Sequence, residues 1–165
     1  QLIGEPIEVL AYGCTAASFL SGPQADAALS DQLSQLLGKP VVTTARAMVQ
    51  SLQSLKAQKI ALVTPYLDEV NEQLKHYLAK SDIHVSAFDS LRAADVTALG
   101  QITSSQVAAM AHQVMRDDCD AMFIACSQLP TQDILESLSQ AFGRPVSSSI
   151  QATAWRASQL LHTES

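Results

Sequence analysis

The chain has 165 residues, a formal net charge of −6 and 47% hydrophobic residues, the profile of an ordinary globular protein. The acidic balance, without any run of Lys or Arg, argues against nucleic acid or an anionic membrane surface as partner. No apolar stretch approaches the roughly 18 residues of a spanning helix, no signal peptide is visible, and Cys14, Cys119 and Cys126 lack disulfide-framework or zinc-site spacing.

A reducing cytoplasm is therefore the expected location, and no metal site is expected. The first residue is Gln, and an apolar run begins within ten residues. The chain is accordingly expected to lack an amino-terminal part of its protein.

Residues 7–12 read as a strand. Residues 23–37 read as a helix, opened by Pro23, whose missing N–H costs nothing at that position, and closed by Gly38. Val41 and Val42 make a short strand-like step. Thr44 is placed to cap a helix over 45–55, where Ala45, Met48, Val49, Leu52 and Leu55 share one face. KIALVTP at 59–65 is a strand, 68–79 a helix with Val70, Leu74, Tyr77 and Leu78 inward, and IHVSAF at 83–88 a strand. The stretch 89–103 has no clear period. Ser104 or Ser105 opens a helix to about residue 116, AMFIAC is the next strand, and Pro130 opens a helix to 142. After Gly143 and Pro145, Val146 leads to a last helix over 151–161.

Short strands that are apolar on both faces, alternating with helices of 10–15 residues, mean βαβ units and a mostly parallel sheet covered on both sides. The fold class is α/β.

Two segments stand out. IEVLAYGC ends at Cys14 and DAMFIAC ends at Cys126. Each cysteine follows a buried-looking strand and precedes a hydroxyl residue, Thr15 or Ser127, and then a helix. Ligands of open α/β sheets sit at the carboxyl ends of the strands. A thiol at a helix N-terminus is expected to have a lowered pKa, and the N–H groups there can cradle a carboxylate. Free cysteine also serves as a small buried hydrophobe; Cys119, in RDDCDA, fits that description and is assigned no role. Two activated thiols facing one small substrate can act as base or nucleophile and as proton donor on the same carbon acid. That suits racemisation beside a carboxylate, or addition to a double bond followed by rotation and elimination, with no cofactor.

At these residues the chain resembles the Asp/Glu racemase superfamily, in the branch of maleate cis-trans isomerases, arylmalonate decarboxylases and racemase-like proteins of ectoine utilisation. VLAYGCTAASF, KIALVTPYLDEVNEQL, DAMFIACSQLPTQDIL and GRPVSSSIQATAW carry the likeness, in the family's order. The resemblance implies two flavodoxin-like lobes with the active site between them. Residues 1–43 with 144–165 form an incomplete amino-terminal lobe, and 44–143 the carboxy-terminal lobe. It implies catalytic roles for Cys14, resembling a nucleophile, and Cys126, resembling a proton donor. Substrate-binding roles are implied for Thr15, Ala16, Tyr66, Ser127 and Gln128. Decarboxylase relatives keep only the second cysteine, so the pair points to isomerisation.

A small carboxylate as substrate, no cofactor and a homodimer or homotetramer are implied as well. The alternatives are an amino-acid racemase, an inactive small-acid binding relative, or a redox sensor. The family's Ser-Asn loop has no counterpart, and Asp95 and Ser149 stand where relatives often carry Asn.

The remaining candidates have plainer readings. Tyr66 fits a structural tyrosine as well as a ligand contact. His76 and His84 read as surface residues, His112 as a buried one and Trp155 as core. Asp117, Asp118 and Asp120 read as a turn, and Arg46 and Arg144 are left without a role.

Overall fold

The computed structural model describes residues 6–162. Among the described residues, six strands form two parallel sheets. The smaller pairs β1 (Leu10–Tyr12) with β2 (Val41–Thr43). The larger has the order β4-β3-β5-β6, from β3 (Lys59–Thr64), β4 (His84–Ser90), β5 (Ala121–Ile124) and β6 (Val146–Ser148). Eight helices cover them: α1 (Thr15–Leu20), α2 (Gly22–Leu37), α3 (Thr44–Ser54), α4 (Asp68–Ala79), α5 (Val96–Gly100), α6 (Ser104–Val114), α7 (Leu135–Phe142) and α8 (Ser149–His162). None of these helices is long and apolar enough to cross a membrane.

Alternation along the central strands explains why both sheet faces are covered. Ile60, Leu62, Ala121 and Phe123 point to one side, where α3 supplies Met48 and Leu52 and α4 supplies Leu74 and Leu78. Ala61, Val63, Met122 and Ile124 point to the other, against Val107 and Ala111 of α6 and Leu138 of α7. Period-two side-chain direction with apolar residues at every step is the signature of a doubly covered parallel sheet.

The expected elements and the observed ones differ at several ends. β1 begins at Leu10, since pairing with β2 starts there. Thr43, not Thr44, is the N-cap residue of α3. Its hydroxyl donates to Asp26, while the Thr44 hydroxyl donates to the Tyr12 carbonyl. Leu55 lies just past α3 and is exposed. Within the aperiodic stretch 89–103, Asp95 caps α5 by accepting from the Ala98 N–H at 2.8 Å.

α6 opens at Thr103, which forms a capping box with Gln106. The helix expected from Pro130 starts at Leu135, after turns at 127–128 and 132–134. Gly38 closes α2 in the left-handed region at φ 64°, as Gly does at such ends. β6 lies within the stretch 144–165 that the sequence groups with the first lobe. It nevertheless hydrogen-bonds in parallel to β5 in the larger sheet, while α8 packs along α3.

One buried carboxylate has a thermodynamic consequence. Asp26 accepts the Thr43 hydroxyl at 2.7 Å through Oδ2, but its buried Oδ1 has no partner. Burial pushes its pKa up, against the opposing pull of the Thr43 bond and the Arg46 charge. The folded state therefore holds this proton more tightly than the unfolded chain does. Stability from this group is full below the ordinary carboxylate value and is lost as pH rises through the raised one. Asp26→Asn is expected to raise the urea midpoint at neutral pH by the equivalent of about 1 kcal/mol. The gain should vanish in acid. A loss of stability at neutral pH would contradict it.

Candidate active site

All strands within each sheet are parallel, and hydrogen bonds from the residue after Cys14 to the loops after β5 and β6 bring the carboxyl ends of the two sheets together. Cys14 follows β1, Tyr66 follows β3, Cys126 follows β5 and Ser149 follows β6. Of the residues singled out in the sequence, Cys14, Thr15, Tyr66, Cys126 and Ser127 meet here.

Cys14 is the N-cap residue of α1, with extended backbone at φ −118°. Its carbonyl accepts from the Ser18 N–H and from the Ser18 hydroxyl at 2.7 Å. The residue is exposed. Cys126 differs in every respect. It is 7% exposed and followed by a turn rather than the expected helix. Its backbone sits at φ 113°, a region that costs a residue with a Cβ of order 1–3 kcal/mol and that clusters at functional sites.

The expected lowering of the thiol pKa is reversed at Cys126: burial pushes it up. The N–H groups of Gln128 and Leu129 oppose that rise, as does the Tyr66 hydroxyl, while the nearby Cys14 adds to it. Packing decides the sign here, because desolvation of a thiolate outweighs the turn's dipoles.

The two cysteine loops are tied by hydroxyls. Thr15 Oγ1 lies 3.2 Å from Ser127 Oγ and donates to Ser149 Oγ at 3.0 Å. Ser149 Oγ also accepts the Cys126 N–H at 3.0 Å. Between the loops sits Tyr66, whose buried hydroxyl has no partner in hydrogen-bond geometry. It is nonetheless close enough to Cys126, Thr15 and Cys14 to feel each of them, and burial together with the Cys126 charge pushes its ionisation far above the usual phenol range.

The Tyr66 loop is held firmly. Asn71 donates to the Tyr66 carbonyl at 2.8 Å, Ser90 donates to it at 2.5 Å, and Thr64 donates to Asn71. The Phe19 ring meets the Tyr66 ring edge-on at 5.9 Å.

Other residues stand apart. Ala16, on α1, is partly buried against the core, and the Gln128 side chain is exposed, so only its backbone N–H addresses Cys126. Asp95 caps α5 and is exposed. His112 is exposed against the Phe142 ring rather than buried, since its helix position faces outward. Trp155 is half-buried and lines a surface groove with Leu55 and Val146 instead of filling the core. A second groove is lined by Thr43, Arg46 and Arg156. Neither groove reaches a cysteine. Asp120 fastens its turn by accepting the Gln58 and Lys59 N–H groups.

Sequence reasoning gave no role to Asn71 and Ser90, which hold the Tyr66 loop. Their partners are 5 and 24 residues away from them, and no local pattern marks them.

The whole chain, residues 1–165, matches a family model described as arylmalonate decarboxylase. A maleate isomerase from Nocardia farcinica is 34% identical over 154 residues, covering 90% of this chain and 61% of the relative. An arylmalonate decarboxylase from Bordetella bronchiseptica is 29% identical, covering 88% and 62%. The chain thus spans about three-fifths of the length of these relatives.

Among solved structures, a cysteine-to-serine mutant of the Nocardia farcinica maleate cis-trans isomerase carries a covalently bound succinylcysteine intermediate. It superposes with a TM-score of 0.89 at 30% identity, over 94% of this chain and 66% of that one. A crystal structure of arylmalonate decarboxylase gives a TM-score of 0.87 at 28% identity, over 94% and 69%.

Proposed function

Because this chain belongs to the arylmalonate decarboxylase family, we propose that its two cysteines work as a pair in a cofactor-independent isomerisation of a small dicarboxylate, of the maleate cis-trans kind. The observation that carries the reading is Tyr66. Its buried hydroxyl stands unpaired among Cys14, Thr15 and Cys126, and a buried donor without a partner is costly unless a ligand completes it. A substrate carboxylate is the group that would do so, alongside the hydroxyls of Thr15 and Ser127. The succinylcysteine of the Nocardia relative supports covalent chemistry of this type.

The chemistry divides naturally between the thiols. Cys14, exposed at the start of α1, supplies a thiolate whose electron pair forms a C–S bond to one alkene carbon. The displaced π pair takes the proton of Cys126 at the neighbouring carbon. The former double bond is now single and rotates. Cys126 thiolate then removes that proton, the double bond re-forms, and the C–S bond breaks to return the Cys14 thiolate. Burial raises the Cys126 pKa, which keeps it protonated at neutral pH and suits it to the donor role. Both thiols must stay reduced, in keeping with a cytoplasmic location.

The test is Tyr66→Phe in the full-length protein, assayed with maleate. Removing an unpaired buried hydroxyl is expected to leave thermal stability unchanged or slightly higher. Turnover at low substrate should fall by roughly 10- to 100-fold. Unaltered kinetics with maleate, or no conversion of maleate by the unsubstituted protein, would overturn this reading.

A further inference from the structure

Ser149 is fully buried at the first residue of α8, and a single oxygen on it serves both cysteine loops. It accepts from the Thr15 hydroxyl next to Cys14 and from the backbone N–H of Cys126. Those two donors occupy the lone pairs of a serine hydroxyl. The serine is itself anchored: Thr153 donates to its carbonyl at 2.8 Å and lies 3.1 Å from Thr44, which donates to the Tyr12 carbonyl. Tyr12 ends β1, two residues before Cys14. A continuous line of hydroxyls therefore runs from the Cys14 side of the site to the peptide that carries Cys126.

We infer that Ser149 is the positioning residue of this site, holding the Cys126 peptide in its left-handed conformation so that the thiol faces the Cys14 loop. The inference rests on the two-thiol reading and extends it to a residue that never touches substrate. Cys126 at φ 113° needs something to hold it there. Its N–H has Ser149 Oγ as acceptor. Without that oxygen the N–H would be left unsatisfied in a closed interior, and the loop would relax to pair it. Relaxation would also turn the Gln128 and Leu129 N–H groups away from the sulfur. The titratable groups facing Cys126 are Cys14 and Tyr66, and neither lies on the element that carries Ser149.

The experiment uses the full-length protein with Ser149→Ala. Alkylation of the Cys126 peptide by iodoacetamide is followed by mass spectrometry across neutral to alkaline pH, beside steady-state kinetics with maleate. The expected result is a Cys126 alkylation midpoint moved to higher pH, and a kcat lowered about 10- to 100-fold with KM within about threefold. Thr15→Val removes the other bond to the same oxygen and should leave the Cys126 midpoint in place.

If the alanine variant does not fold, Ser149→Cys, similar in shape and a weak acceptor, carries the same expectation. An unchanged midpoint and kcat, even with a lower melting temperature, would overturn the inference and leave Ser149 a structural serine. Should the unsubstituted protein turn over no carboxylate, the two-thiol reading fails by itself. The alkylation profile still decides whether Ser149 sets the Cys126 thiol.

Discussion

Cys14→Ala and Cys126→Ala are each expected to lower turnover by about 10²- to 10⁴-fold while the protein stays folded. Cys14 is exposed at the mouth of the site, so its truncation removes little buried surface. Cys126 is buried, but alanine keeps the Cβ, the Ser149 bond to the backbone N–H and the packing of the turn. The losses should differ in kind. Without Cys14 no covalent adduct can form. Without Cys126 the adduct has no proton donor, and any complex should stall or form slowly. Circular dichroism with single-turnover kinetics and intact-mass measurement separates these cases. Full activity in either variant would remove the paired-thiol mechanism.

Phe123→Ala is expected to cost about 3–5 kcal/mol of folding stability, a large share of the 5–15 kcal/mol typical of a domain. Phe123 is fully buried in β5, an interior strand flanked by β3 and β6. Its ring fills the core face that α3 and α4 cover, and no neighbour can collapse into a phenyl-sized hole without moving a backbone. A urea titration measures the loss. Because Cys126 lies three residues after Phe123, just past the end of β5, the same variant should also alkylate at Cys126 faster. A stability change under about 1 kcal/mol would mean that the β5 face is far more plastic than its packing indicates.

Much of the scaffold was legible because the relevant information is local. The both-face apolar run at 59–65 marked β3, and the period of Val70, Leu74, Tyr77 and Leu78 marked α4 with its observed bounds. Gly38 and Gly143 marked helix ends that adopt the left-handed region. Failures came where a distant partner decides. Pro130 looks like a helix start, yet Thr131 is drawn into a bond with Ser148 at 3.0 Å and the helix waits until Leu135. Trp155 sits at helical spacing with Leu160, but Leu160 packs against the core while Trp155 lines a groove.

By itself, the sequence marked the longer strands and helices and the residue that follows each of those strands, since periodicity and turn chemistry act over a few neighbours; the short helices α1 and α5 were not delimited. That was enough to nominate Cys14 and Cys126, whereas Tyr66 entered only through the family resemblance. Only the tertiary structure decided that parallel pairing and cross-loop hydrogen bonds bring the two cysteine loops to one end and that Ser149 bridges them. It also decided that Cys126 is buried in a strained turn with its thiol pKa raised. Desolvation and cross-loop hydrogen bonds depend on which segments pack together, and residues more than a hundred positions apart in the chain carry no local mark of that meeting.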